Sequence, residues 1–159
     1  MKKSLFLIAA IVLGFSSCSL DYNYLEFDED EFVSARNDWK DLDLQNYSFD
    51  ITGESSDFDD YFSGKVTVKN GIGKIEFDRY SSKKWDIRSI DDVFAEIYES
   101  YQKVKDEYSY GRFKNVRYEI SYDKRYHFPK SMYLSVYNGK NLLSEDILVY
   151  INIDDFRVR

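Results

Sequence analysis

The dipeptide Asn70-Gly71 restricts the fold of this chain strongly, because apolar and polar residues alternate on both sides of it. A two-residue hairpin turn needs a positive φ angle at both central positions, and Asn and Gly adopt it most readily. Such a turn pairs Val66 with Ile75 on one face of the hairpin. It also pairs Lys65 with Glu76 on the other face, so apolar residues meet apolar residues and opposite charges meet. The sequence therefore predicts an antiparallel hairpin here.

Two helices and further strands are predicted from the same kind of periodicity. Phe32, Ala35, Trp39 and Leu42 recur at helical spacing, after the acidic run 28–31 that suits the start of a helix. A second helix begins after Ser89, which forms a capping-box pattern with Asp92. Its apolar positions are Ile90, Val93, Phe94, Ile97, Tyr98, Tyr101 and Val104. Alternating residues predict strands at 46–54, 116–122, 132–136 and 147–153.

The predicted element order is α-β-β-β-α-β-β-β, which defines the fold class as α+β. An antiparallel sheet with the two helices on one face buries the apolar stripes of both helices. The segments TVKNG (67–71) and SVYNG (135–139) fall at matching hairpins, 68 residues apart. A tandem αβββ repeat is one interpretation of this likeness.

The first 17 residues have the pattern of a secretory signal peptide. Lys2 and Lys3 precede an uncharged run, LFLIAAIVLGF (5–15), which is followed by Ser16 and Ser17. A helix that crosses a bilayer needs about 20 apolar residues, so this run is too short to be a membrane anchor. We therefore expect residues 1–17 to be removed.

The cysteine that follows gives this segment a second meaning. Small residues before Cys18, after an apolar run, resemble the lipobox of bacterial lipoproteins, although Phe15 stands where that motif usually has leucine. The resemblance implies that Cys18 becomes the N-terminus and carries acyl chains such as palmitate, which hold the protein on a membrane. Several chains bind far more firmly than one. The expected organisation is a tether at 18–28 and one α+β domain at 29–159.

Composition restricts the partners. The chain has 22 basic and 29 acidic residues, and loss of residues 1–17 changes the net charge from −7 to −9. Nucleic acids and anionic lipids bind basic surfaces, so neither is an expected partner of the domain itself. With a single cysteine, the chain has no internal disulfide.

Much of the chain resembles an uncharacterised family of bacterial secreted proteins and lipoproteins, a "domain of unknown function". The resemblance covers about residue 35 to the C-terminus and lies in VTVKNGIGKIEF (66–77), SIDDVFAEIYES (89–100), VRYEISYDKRYHFPKSMYLS (116–135) and Ser144-Glu145-Asp146. The family pattern has a V-x-V-x-x-G strand, an I-D-x-x-F helix start and a strand end Y-D-x-x-Y-x-x-P. Its members often carry a cysteine pair near the first strands, which is absent here. The resemblance implies an envelope location and a related fold, and no activity.

No catalytic set or metal site emerges from the residue types, and no cofactor is expected. His127 is the single histidine of the chain. A zinc site normally needs several Cys and His ligands, and a serine or cysteine triad needs a histidine base, so the residue types indicate neither. Asp57, Asp59 and Asp60 lie in a segment without the residue order of a calcium loop. We interpret them as a solvated loop, and Trp85 as a core residue. A carboxylate pair for glycoside hydrolysis is defined by the distance between the two carboxylates in space. The sequence does not give this distance, so a hydrolase with such a pair is kept as an alternative.

The segment 122–129 combines aromatic and charged residues most densely. Tyr122, Asp123, Arg125, Tyr126 and His127 are candidates for a partner-binding loop, since exposed loops with aromatics and arginine often bind. The competing interpretation is a plain hairpin connection in which Asp123 and Pro129 set the turns.

These observations favour a non-enzymatic envelope lipoprotein that binds another envelope protein or an extended ligand. The expected location is the bacterial cell envelope, on the periplasmic side or at the cell surface. An inhibitor of an envelope enzyme and a carboxylate-dependent envelope hydrolase are the alternatives.

The lipobox resemblance predicts the mass of the mature N-terminus. In the native membrane fraction, the N-terminal peptide should begin at Cys18 and carry acyl chains, and a Cys18→Ser variant should carry none. Intact mass spectrometry of the peptide measures this. A peptide with the mass of an unmodified secreted chain would contradict the anchor.

Overall fold

Seven strands and two helices make up the described part of the chain. The computed structural model describes residues 24–55, 60–81, 86–110, 115–137 and 145–159. The elements are β1 (Leu25–Glu26), α1 (Glu29–Asp41), β2 (Tyr47–Ser55), β3 (Asp60–Lys69), β4 (Ile72–Phe77), α2 (Ile90–Ser109), β5 (Val116–Tyr122), β6 (Pro129–Tyr137) and β7 (Glu145–Val158). The α+β class is confirmed, and the predicted order holds with one added strand, β1.

All seven strands belong to one sheet, in the order β1-β5-β6-β7-β2-β3-β4. The pairings are antiparallel except for that of β1 with β5, which is parallel. Strands β2, β3 and β4 form one consecutive meander, and β5, β6 and β7 form another. The two meanders join where β7 pairs with β2.

The hairpin predicted at Asn70-Gly71 is confirmed in its register. Val66 pairs with Ile75, and Lys65 pairs with Glu76. The φ angles of Asn70 and Gly71 are 50° and 75°, as the turn requires.

Helix α1 begins one residue after its cap, Asp28, whose carboxylate accepts the N–H of Glu31 at 2.8 Å. This capping bond satisfies one of the donors that a helix start leaves open. Phe32 and Trp39 are buried on the predicted face. Leu42 is not: the helix ends at Asp41, and Leu42 is 38 % exposed.

Helix α2 is capped as the sequence predicts. Ser89 Oγ accepts the N–H of Asp92 at 3.1 Å, and the Asp92 carboxylate accepts the N–H of Arg88 at 2.8 Å. The N–H of Ile90 donates to the Tyr47 hydroxyl at 3.2 Å, which ties the start of α2 to strand β2. The predicted apolar face is buried, except that Tyr98 is partly buried.

A β-bulge near the end of β7 changes which side chains enter the core. Ser48 pairs with Arg157 and Asp50 with Asp154, so two residues of β7 lie opposite one residue of β2. Asp155 takes a positive φ of 49° there. The extra residue shifts the alternation, and Phe156 packs among Trp39, Tyr47, Tyr126 and Phe128.

The segment expected to be a tether contributes to the fold. Leu25 and Glu26 pair with Val116 and Arg117 as strand β1. The ring of Phe27 then stacks on Tyr101 of α2, with 4.1 Å between centroids. The folded unit therefore includes residues before position 29, where we placed its start. None of the described helices is long and apolar enough to cross a bilayer.

The contact between Gly53 and Phe62 predicts a specific loss of stability. These residues pair across β2 and β3, and a Cβ added at Gly53 would lie 2.0 Å from Cε1 of the buried Phe62 ring. Gly53→Ala should lower the free energy of unfolding by about 1–3 kcal/mol in urea titrations, because the ring must shift. Adding Phe62→Leu should recover part of the loss.

Glu54→Ala, at the neighbouring exposed position of β2, is the matched control and should change stability by less than about 0.5 kcal/mol. A Gly53→Ala variant as stable as the wild type would show that the ring has room to move.

Candidate functional site

The candidate loop 122–129 is a hairpin turn between β5 and β6 that Asp123 organises. The N–H groups of Arg125 and Tyr126 both donate to Asp123 Oδ1 at 2.8 Å. The Asp123 N–H donates to the carbonyl of Phe128, and its carbonyl accepts the N–H of His127, each at 2.9 Å. His127 holds a positive φ of 60°. Asp123 therefore shapes the turn, as the competing interpretation requires.

The other side chains of this turn are exposed to different degrees. Tyr126 is half-buried, with its ring centroid 5.0 Å from that of Phe156. The Arg125 guanidinium lies 5.0 Å from the centroid of the Tyr126 ring and is exposed. His127 Nδ1 lies 3.9 Å from Asp38 Oδ2. The partner-binding role of this loop stays a prediction, and Tyr126 has a packing role beside it.

A second surface is the polar face of the sheet, which consists of the strand residues that alternate with the buried ones. The strand register places Tyr133 of β6 beside Tyr150 of β7, Tyr150 beside Glu54 of β2, and Glu54 beside Tyr61 of β3. We call these four residues the tyrosine row. The Tyr133 and Tyr150 rings lie 4.9 Å apart, and Tyr133 and Tyr61 are 38 % and 46 % exposed.

Small polar side chains form the neighbouring row on this face. The register aligns Ser121, Ser131, Asn152, Thr52 and Ser63 across five strands. Two residues along a strand span about 7 Å, so this row lies about that far from the tyrosine row. This row separates the tyrosine row from the next row of residues along the strands.

A charged row lies on the other side of these small polar residues. Asp154, Asp50, Lys65 and Glu76 form the next row, in which Lys65 Nζ lies 3.4 Å from Asp50 Oδ1. The polar face therefore carries an aromatic row and a charged row, with amide and hydroxyl side chains between them.

A third feature is a groove along the outer edge of β5, which we call the edge groove. It has a volume of about 510 Å³. Its lining comprises Glu26 of β1, Asp28 and Glu31 at the start of α1, residues 117–122 of β5, and Ser131 and Tyr133 of β6. Tyr133 belongs to both the groove and the tyrosine row, so the two surfaces are continuous.

The edge groove is acidic. Arg117 Nε lies 3.2 Å from Glu26 Oε2, and its NH1 nitrogen lies 2.8 Å from Glu119 Oε1. With Asp28 and Glu31, four carboxylates face one guanidinium, and the formal charge of the lining is −3. This surface favours a cationic occupant.

Two tyrosines of β5 form the inner part of the groove. Burial raises the pKa of Tyr122, and the negative charges of Glu31 and Asp28 raise it further. Burial also raises the pKa of Tyr118, whose hydroxyl lies 3.2 Å from Ser100 Oγ. Both phenols are therefore neutral over the physiological range, and their hydroxyl groups are hydrogen-bonding groups.

Other candidates from the sequence give no site within the described ranges. No group of three or more His, Cys, Asp or Glu residues there is placed to hold a metal ion. Cys18, Asp57, Asp59 and Trp85, and the side chain of Asp60, lie outside the described part of the chain.

Comparison of the chain with protein-family models, with curated proteins and with solved structures gives no significant match. The functional interpretation therefore rests on the residues and their geometry.

The sequence does not predict the edge groove, because it is assembled from four separate elements. Glu26 and Asp28 fall in the segment expected to be a tether. The alternation of residues 117–122 does predict which side chains share a face of β5. It does not show that β5 lies next to β1 at a sheet edge.

The Asp123 turn gives a prediction that separates shape from recognition. Asp123→Ala removes the acceptor of two main-chain N–H groups and should lower the free energy of unfolding by about 1–2 kcal/mol. Asp123→Asn keeps one acceptor oxygen and should lose less. Arg125→Ala should change stability by less than about 0.5 kcal/mol, because the side chain is exposed. Urea denaturation measures all three, and an Asp123→Ala variant of full stability would contradict this assignment.

Proposed function

We propose that this chain is a lipid-anchored protein of the bacterial cell envelope whose domain binds another protein or an extended ligand, without catalysing a reaction. The lipobox-like segment ending at Cys18 supports the anchor and the location. The resemblance to the uncharacterised family of secreted proteins and lipoproteins agrees with that location and is part of the proposal.

The tyrosine row is the observation that carries the binding role. Tyrosine offers a large, rigid contact surface with a hydrogen-bonding hydroxyl, and it is enriched in protein interfaces. Tyr61 and Tyr133 are exposed near the two ends of the row, while Tyr150 is partly buried between Tyr133 and Glu54. Burial raises the pKa of Tyr150, which also bonds to Thr52. A fixed central ring with exposed neighbours suits a preorganised contact surface.

We infer that both helices cover the sheet face opposite the tyrosine row. Trp39 of α1 contacts Tyr47, with ring centroids 5.3 Å apart. Tyr101 of α2 contacts Tyr118, with centroids 6.0 Å apart. Tyr47 and Tyr118 belong to the buried set of strand residues, which supports a common face for the helices and leaves the other face for binding.

This arrangement argues against a tandem duplication. Matching β2-β3-β4 to β5-β6-β7 keeps their order across the sheet and reverses every strand direction. The rotation that does this also turns the sheet over, so it would place α1 and α2 on opposite faces. The tandem αβββ order is the one feature that suggests an inhibitor, and helices on a common face weaken that basis.

The hydrolase alternative gains no specific support from the edge groove. Of its four carboxylates, Glu26 and Glu119 pair with Arg117, and Asp28 caps α1. Burial raises the pKa of Glu96, but this residue does not line the groove.

Capture from a detergent-solubilised envelope tests the proposal. In a Tyr61→Ser/Tyr133→Ser variant, the amount of captured partner should fall by a factor of about ten or more. A tenfold loss corresponds to about 1.4 kcal/mol of binding free energy. Tyr80→Ser/Tyr110→Ser is the matched control, because these tyrosines are 83 % and 81 % exposed and lie off the row.

Equal capture by the row variant and its control would remove the tyrosine row from the proposal. Absence of any partner that the wild type enriches over the bare resin would overturn the binding role itself.

A further inference from the structure

Strand β5 lies next to an edge that β1 covers only in part. β1 pairs with Val116 and Arg117 and then leaves the sheet, because Phe27 turns into the core and Asp28 caps α1. Among the described residues, 118–122 of β5 pair with β6 alone. Such an edge presents unpaired main-chain groups along about 17 Å, the length of five strand residues.

The main-chain groups of this edge face the groove. The N–H of Val116 donates to the carbonyl of Tyr24 at 2.8 Å, so Val116 presents its main chain to the β1 side. The main-chain N–H and C=O groups of successive strand residues point alternately to one neighbouring strand and to the other. This alternation continues along β5, which keeps its register with β6 as far as Ser121. The N–H and C=O of Ile120 therefore point away from β6, towards the place that a longer β1 would fill.

The side chains around this edge also lack full cover. Ile120 and Tyr122 alternate with exposed residues, yet both are only half-buried. Glu119 lies on the opposite face of β5, and Glu31 lies across the groove. An added strand would cover the apolar pair on one face and place alternate side chains beside the carboxylates.

We propose that the edge of β5 receives an extended segment of a partner protein as an added strand, and that this segment carries lysine or arginine at alternate positions. Main-chain bonds to residues 118–122 give the affinity in this binding mode, and the side-chain surroundings give the specificity. The charge of −3 in the groove selects a cationic segment. This inference rests on the proposed binding function and names its partner chemistry and its place of contact.

A second copy of the chain fits this edge less well. Pairing of two β5 edges would bring two acidic linings together, and like charges in close contact oppose association. A copy bound at this edge would appear as a dimer, which sedimentation at the same protein concentration detects.

Two synthetic peptides of nine residues test the chemistry of the partner. The first alternates lysine with valine and threonine, and the second has glutamate in place of each lysine. Fluorescence anisotropy should show binding of the lysine peptide at low salt, weakened in 0.5 M NaCl by screening, and at least about tenfold weaker binding of the glutamate peptide. Amide hydrogen exchange at Ile120 should slow in the complex, since its N–H becomes bonded.

Variants of the edge test the site. Ile120→Pro removes the outward N–H without breaking a bond to β6, and proline is tolerated at such edge positions. It should weaken binding at least about tenfold, whereas Ile120→Val keeps the N–H and should bind nearly as the wild type does. Glu31→Gln/Glu119→Gln should weaken binding of the lysine peptide. The control for this charge variant is Glu76→Gln on β4, because Glu76 is 71 % exposed beside Lys74 and lies away from the edge groove. It should leave binding of the lysine peptide unchanged.

Thermal unfolding of each variant establishes that it is folded before binding is measured. Equal binding by Ile120→Pro and Ile120→Val, equal binding of the two peptides, unchanged exchange at Ile120, or a β5-mediated dimer would each overturn the inference. Envelope capture that depends on the tyrosine row and not on Ile120 would overturn it while leaving the proposed function intact. Failure of all envelope capture counts against the function instead.

Discussion

The pairing of β7 with β2 is the interaction on which the rest of the structure depends. Each meander is built from consecutive strands, and this seam alone makes them one sheet. The bulge at Asp155 lies in the seam and turns Phe156 into the aromatic cluster around Trp39. The same cluster includes Tyr126 and Phe128 in the β5–β6 hairpin turn and Tyr47 of β2, so it joins both meanders. Backbone pairing and aromatic packing are therefore coupled at one place, where helix α1 also contacts the sheet.

This seam also creates the polar face. Tyr133 and Tyr150 come from one meander, and Glu54 and Tyr61 come from the other. Their alignment requires the register across β7 and β2, and a slip by one residue would move one half of the row to the buried side. The tyrosine row, proposed to bind a partner, and the core thus share a single structural determinant. A variant that disturbs the seam would change both. Tyr61 and Tyr133, by contrast, are exposed and lie on β3 and β6, outside the seam.

Local patterns in the sequence predict the elements and the hairpin register well. Asn70-Gly71 and the Ser89 cap act over a few residues, so their signals survive without knowledge of the fold. The features that the sequence does not predict depend on distant contacts. The alternation of Ile151 and Ile153 gives no sign that Asp155 adds a residue, so it does not predict that Phe156 enters the aromatic cluster. Leu25 and Glu26 form a strand too short for a periodic pattern, because β5 provides the partner. The edge groove also depends on distant contacts, because its lining comes from β1, the start of α1, β5 and β6.

The short parallel strand β1 has a mechanical consequence for an anchored domain. Leu25 comes seven positions after Cys18, and a fully extended chain spans at most about 25 Å over seven positions. A lipid at Cys18 would therefore keep the β5 edge close to the bilayer surface. Any pull along the anchor would act first on the two residue pairs that hold β1 to β5. Detachment of β1 would also expose the outward main-chain groups of Val116, so tension would lengthen the edge directly beside the residues 118–122 proposed for strand addition.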